Sequence, residues 1–237
     1  MNKEEFLNII KESIKSQEPT LYLSELEVDS LTEIKQLTHL KELFLNGKYY
    51  WDWNKKTGFE NNLSTFPTEI GLLTNLTKLS ISGFPIKELP KEIGNLVNLT
   101  ELYIDNTSIS TLPDEIGNLI NLEKLDISYC EHFTNFPDTL CKLINLVDLQ
   151  APSNSLEQLP LEIGELTNLV YLNLSNNHKL AKLPASIKKL VNLEHVNLSD
   201  TGLAKLTFKS SKWPKLVKLE VSKAKNIKEV RRKSEDK

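Results

Sequence analysis

LPKEIGNLVNL at residues 89–99 is matched by FPTEIGLLTNL at 66–76, LPDEIGNLINL at 112–122 and LPLEIGELTNL at 159–169. Looser copies, FPDTLCKLINL at 136–146 and LPASIKKLVNL at 183–193, fill the remaining turns of the pattern. Taking the leucine that closes each copy as origin, Leu76, Leu99, Leu122, Leu146, Leu169, Leu193 and Leu216 are spaced 23, 23, 24, 23, 24 and 23 residues apart. A short fixed period marks an array of stacked coils, each contacting only its neighbours and none folding alone.

Within each period the apolar positions alternate. Three and five residues past the origin come Leu79 and Ile81, Leu102 and Ile104, Leu125 and Ile127, Leu149 and Ala151, Leu172 and Leu174. Period-2 alternation predicts a short strand with one face buried. The next inward positions are expected at +8, +10 and +13, as in Thr107, Ile109 and Leu112. Pro90, Pro113, Pro137, Pro160 and Pro184 then take the chain out of sheet geometry, because proline has no ladder donor. Pairs such as Ile93 and Leu96, three apart, suit one 3-10 or α turn. Gly71, Gly94, Gly117 and Gly164 follow the isoleucine, where lack of a side chain is expected to allow a tight outer turn.

These residues resemble the leucine-rich repeat family in its L-x-x-L-x-L-x-x-(N/C/T)-x-L form, with the L-P-x-x-I-G-x-L-x-x-L outer segment of bacterial and plant intracellular members. Among bacterial arrays they are similar to the N-terminal repeats of Roco-like proteins. The resemblance covers residues 17–230 and implies an α/β fold of about eight or nine coils. That fold is a curved right-handed solenoid, with a parallel sheet on its concave face and short 3-10 or helical turns on its convex face. Where the family most often has Asn at +8, this chain has Phe84, Thr107, Cys130, Asn154, Asn177, Thr201 and Ala224, so the family's internal asparagine ladder is only partly present.

An array has apolar ends that need covers. KEEFLNIIKESIK at 3–15 places Phe6, Ile9, Ile10 and Ile14 on one stripe, with Glu4 and Glu5 in the first turn, as a capping helix would. The expected organisation is a cap at 1–16, a solenoid at 17–230 and a polar tail at 231–237. Early charges are incompatible with a secretory signal, and no apolar run reaches membrane-spanning length. Two cysteines without metal spacing fit a reducing cytoplasm. The net charge of −3 divides into +8 over residues 201–237 and −11 over residues 1–200. A solvated cap and tail is the favoured account of that basic end, over nucleic acid or an anionic membrane.

Motifs for catalysis are missing. His39, His132, His178 and His195 fall in four different coils, and GxxxxGK[ST], GxGxxG, GxSxG, HExxH and paired CxxC are all absent, so neither an enzyme, a cofactor nor a metal is expected. Asp105, Asp126 and Asp148 align on neighbouring strands, where an open solvated sheet is expected to leave them ordinary acids. The informative surface is the outward face of the strands. Its candidate partner-binding residues are Phe44, Tyr103, Asp126, Asp148, Tyr171 and His195, with Asp105 and Tyr129 beside them, and tyrosine is enriched at binding hot spots. One irregularity is larger: Leu40 to Leu76 is 36 residues, and the 13 surplus residues at 48–60 hold Tyr49, Tyr50, Trp51, Trp53 and Phe59. This insertion either joins a binding face or packs back onto the first coils as part of the cap. The expectation is a monomeric, non-enzymatic module that binds a protein or peptide through the concave sheet and the insertion. The alternative is the ligand-sensing repeat segment of a larger signalling protein, a Roco-type GTPase or an effector, whose catalytic domain lies elsewhere.

Overall fold

The computed structural model describes residues 1–47, 63–204, 210–221 and 230–231. Each repeat contributes one strand to a single sheet: β1 (Thr20–Leu26), β2 (Glu42–Gly47), β3 (Lys78–Ser82), β4 (Glu101–Asp105), β5 (Lys124–Asp126), β6 (Asp148–Gln150), β7 (Tyr171–Asn173), β8 (His195–Asn197) and β9 (Lys218–Glu220). These pair in parallel in strict chain order, and β10 (Val230–Arg231) joins β9 antiparallel. Equivalent residues stand in register, so Leu79, Leu102, Leu125, Leu149, Leu172, Val196 and Leu219 form one buried column. The fold is the α/β solenoid expected from the repeat.

Opposite the sheet run stacked 3-10 turns, including Lys91–Asn95, Asp114–Asn118 and Asp138–Lys142. Proline sits just before each of these in extended geometry, for example Pro113 at φ −67°, a value its ring enforces. Gly71 and Gly94 follow, for a reason the sequence did not reveal. Their φ is not positive; a Cβ on Gly94 would lie 2.7 Å from both the Cβ and the carbonyl oxygen of Glu115 in the next coil. Glycine is required by the approach of neighbouring coils, not by a tight turn.

The 24-residue coils also depart from expectation. Their extra residue lengthens the exposed turn, Glu131 and His132 in one coil and His178 and Lys179 in the other, which moves the inward positions to Phe133 and Phe136 and to Leu180 and Leu183. Inside, Asn154 accepts from the Cys130 N–H at 2.7 Å and donates to the Ile127 carbonyl, and Asn177 repeats the pattern with Leu156 and Ala151.

A second ladder is longer. The asparagine before six of the seven origin leucines, Leu76 to Leu193, donates its side-chain amide to a carbonyl of the preceding coil: Asn75 to Thr38, Asn98 to Thr74, Asn121 to Val97, Asn145 to Ile120, Asn168 to Ile144 and Asn192 to Thr167, all at 2.7–2.9 Å.

At the start, α1 (Lys3–Ser16) is closed by a capping box in which Asn2 Oδ1 accepts from the Glu5 N–H and Glu5 accepts from the Asn2 N–H. Phe6 and Ile10 are buried against the first coil. Farther along, Trp213 is buried in place of an aliphatic side chain and donates its indole N–H to the Ile187 carbonyl at 3.0 Å.

Two substitutions test this packing. Gly94→Ala gains helical propensity elsewhere, but here it should destabilise by roughly 1–3 kcal/mol through overpacking. Leu125→Ala should cost about 2–5 kcal/mol by leaving a cavity between coils. Urea denaturation midpoints measure both, and a stabilised Gly94→Ala protein would contradict the close approach of coils.

Candidate functional site

The exposed face of the sheet repeats the same register as its core. One outward column runs Glu42, Lys78, Glu101, Lys124, Asp148, Tyr171, His195, Lys218, and its neighbour runs Tyr22, Phe44, Ser80, Tyr103, Asp126, Gln150, Asn173, Asn197, Glu220. Alternation makes these side chains point away from the core, so none is needed for packing.

The N-terminal part is aromatic. Tyr22, 66% exposed, stacks on Phe44 with centroids 4.4 Å apart. The Lys78 ammonium lies 5.6 Å from the Phe44 centroid and 5.1 Å from that of Tyr103, within cation–π range of both. It also pairs with Glu101 at 2.8 Å, and the Tyr103 hydroxyl donates to the same carboxylate at 2.6 Å. These contacts correct the expectation of a freely exposed Tyr103: the ring is partly buried, and burial together with Glu101 holds its phenol above the ordinary range. Glu101 in turn sits below the usual carboxylate range, chiefly through the hydrogen bond from Lys78 and then that from Tyr103. Tyr22 was not foreseen because its coil lacks the leucine that sets the origin elsewhere. The alternation in TLYLSEL was the available signal.

The middle is acidic. Asp105 on β4, Asp126 on β5 and Asp148 on β6 step diagonally across three strands. Asp126 accepts from the Ser128 N–H at 2.9 Å and from the Ser128 hydroxyl. Contrary to the expectation of ordinary solvated acids, burial raises its pKa, and the charges of Asp105 and Asp148 push in the same direction.

The C-terminal part is a shallow hollow lined by Gln150, Tyr171, Asn173, His195 and Lys218, in which Tyr171 and His195 stack at 5.0 Å. Lys218 is paired with Glu220 at 2.6 Å.

Tyr129 stands apart from these groups. It belongs to the row that ends each strand segment, Gly83, Asn106, Tyr129, Ser153, Asn176 and Asp200, and every member has φ between 51° and 71°. Gly, Asn and Asp tolerate this left-handed region, whereas a bulky side chain is strained there. Tyr129 holds it at φ 57° with its ring 59% exposed. The remaining candidates, Tyr49, Tyr50, Trp51 and Trp53, lie outside the described residues.

The arrangement offers rings, carboxylates and amides on an open surface. Among the described residues no group of three or more His, Cys, Asp or Glu is placed to hold a metal. Both cysteines are free thiols, and burial pushes each up to about 11, which favours the protonated thiol. No described helix is long and apolar enough to cross a membrane.

Tyr129→Asn should raise stability by about 1 kcal/mol, as left-handed geometry costs asparagine less; a lower urea midpoint would show that the ring packs usefully. The acids have opposite effects on stability with pH. Glu101, its pKa depressed, stabilises above the ordinary carboxylate pKa, and this is lost as pH falls through the folded value. Asp126, its pKa raised, carries a cost at neutral pH that disappears as pH falls through its folded value. Asp126→Asn should therefore be at least as stable as the parent at about pH 7, with the difference shrinking toward about pH 4.

A family model described as "Leucine-rich repeat region" matches residues 20–158, and one described as "Leucine Rich Repeat" matches 168–190. A comparison with curated proteins finds no match. Among solved structures, the chain is similar to the Leptospira interrogans LRR protein LIC12759 (29% identity, TM-score 0.57), with 89% of this chain covered and 62% of that one, so it spans less than two thirds of that protein's length. It shares its fold with the leucine-rich repeat domain of the type III effector XopL, at 19% identity and TM-score 0.74 over 93% of this chain and 81% of that one. The same holds for TLR13 in its complex with ssRNA13, at 22% identity and TM-score 0.70 over 93% of this chain and 30% of that one. The model match over more than half of the residues and the in-register coils agree: this chain belongs to the leucine-rich repeat family.

Proposed function

We propose that this chain recognises a protein or peptide through the exposed face of its sheet, as a monomer in the cytoplasm and without catalysis of its own. Leucine-rich repeat folds commonly mediate protein–protein interaction. The observation that carries this assignment is the placement of four rings on a face with no packing duty: Tyr22 stacked on Phe44 at one end and Tyr171 stacked on His195 toward the other. Rings that are not needed by the core supply contact area at low entropic cost to a partner. The insertion carrying Tyr49, Tyr50, Trp51 and Trp53 follows β2, whose Phe44 is on this face, and we assign it to the same surface.

Photo-crosslinking amino acids placed at Tyr22, Tyr171 and His195 should give protein adducts in lysate, while the same probe at the exposed Ile120 and Ile144 should not. Adducts from the isoleucine positions alone would move the binding surface off the sheet. For an identified partner, Trp51→Ala with Trp53→Ala should weaken binding by about 2 kcal/mol or more with melting unchanged. A fall in melting temperature comparable to that of Leu125→Ala would make the insertion part of the cap.

A further inference from the structure

We propose that the exposed sheet face takes an extended protein segment with a basic centre and large apolar or aromatic side chains toward its ends. This rests on the sheet-face assignment above and names the chemistry of its partner.

The ends of the site are the two stacked ring pairs. From Phe44 on β2 to Tyr171 on β7 there are five strand intervals, about 24 Å at ordinary strand spacing. An extended chain covers that distance in about seven residues. Between the ring pairs lie β3, β4, β5 and β6, whose exposed face carries Glu101, Asp105, Asp126 and Asp148 against Lys124 and the Lys78 of β3 that reaches Glu101. The surplus is negative at the middle of the face, and Lys218 beyond it is paired with Glu220.

The charge at Asp126 has no structural task. In two later coils the same turn is closed by an amide: Asn173 Oδ1 accepts from the Ser175 N–H at 3.1 Å and its hydroxyl at 2.8 Å, and Asn197 Oδ1 accepts from the Ser199 N–H at 2.9 Å. Asp126 makes the same bonds to Ser128, so its negative charge adds nothing that Asn lacks. In the free protein that charge is partly buried and repelled by Asp105 and Asp148. A lysine or arginine laid across the three strands reverses this balance, since a desolvated carboxylate gains most from a cation. Single-stranded nucleic acid meets the opposite condition, because its phosphates would lie over these carboxylates.

The test is a selection of phage-displayed random dodecapeptides on the full chain, followed by anisotropy with the selected peptides labelled by fluorescein. The expected peptides have lysine or arginine at the centre and aromatic or aliphatic residues toward both ends. Their affinity should fall at least tenfold in Asp126→Asn, and in Asp148→Asn as a second variant, while neither urea midpoint drops. Peptides with acidic or neutral centres that lose affinity in Phe44→Ala and Tyr171→Ala, but not in Asp126→Asn, would overturn the basic-partner proposal and leave the sheet-face assignment standing. A labelled uridine dodecanucleotide that binds more tightly than every selected peptide would overturn the proposal in favour of nucleic acid. No selected peptide, or binding indifferent to all four substitutions, would overturn both.

Discussion

A chain that completes a turn every 23 or 24 residues leaves backbone carbonyls at its corners, and the six asparagines from Asn75 to Asn192 each take one from the coil before. Each bond is side chain to backbone, so it holds whatever side chain the preceding coil has at that point: threonine, valine or isoleucine. The ladder also sets the separation between coils. That separation leaves room for no more than a hydrogen at Gly94, whose missing Cβ would meet Glu115 at 2.7 Å. Amide ladder and glycine row act together, one drawing the coils close and the other permitting it. The strand register, and with it the order of side chains on the sheet face, follows from this repeat distance.

The two faces of the array are therefore under different constraints. Inward positions are fixed by packing, and even the +8 row accepts Phe84, Thr107 or Cys130 in place of asparagine only because each remains buried; Thr107 and Cys130 lie 3.2 Å apart and share a hydrogen bond. Outward positions answer only to one another. Lys78 on β3 lies among Phe44 on β2 and Tyr103 and Glu101 on β4, strands more than twenty residues apart that the parallel register makes neighbours. In such a fold a recognition surface can change without disturbing the core.

Much of this was legible in the chain. The inward columns, the strand of each repeat, the capping helix and the outward order from Glu42 to Lys218 follow from counting, because a solenoid converts sequence period directly into spatial adjacency. What counting missed depends on distances between coils. Asparagine before leucine is visible in every copy, but its partner is a carbonyl and leaves no trace in residue identity. Gly94 suggested a turn, because a lone glycine looks the same whether it serves conformation or clearance. Tyr22 escaped because the first coil lacks the leucine origin. Along the chain Asp126 reads as an ordinary exposed acid, because its raised pKa comes from burial and from Asp105 and Asp148 on adjacent strands, effects that only the fold creates.

The fifth coil brings these themes together. Its strand β5 carries Asp126, repelled by its neighbours, and three residues later Tyr129 takes a backbone conformation that Asn106 and Asn176 adopt with less strain in the same row. Both unfavourable choices have milder counterparts elsewhere in the array, at Asn173 for the acid and Asn176 for the ring, so the fold itself does not demand them. Strain held where the surrounding structure overdetermines the backbone points toward function. Flanked on both sides by coils locked through the amide ladder, this coil can tolerate a local loss that an isolated hairpin could not. The physical basis for proposing the centre of a binding surface here is that its costs are local and its support is shared along the array.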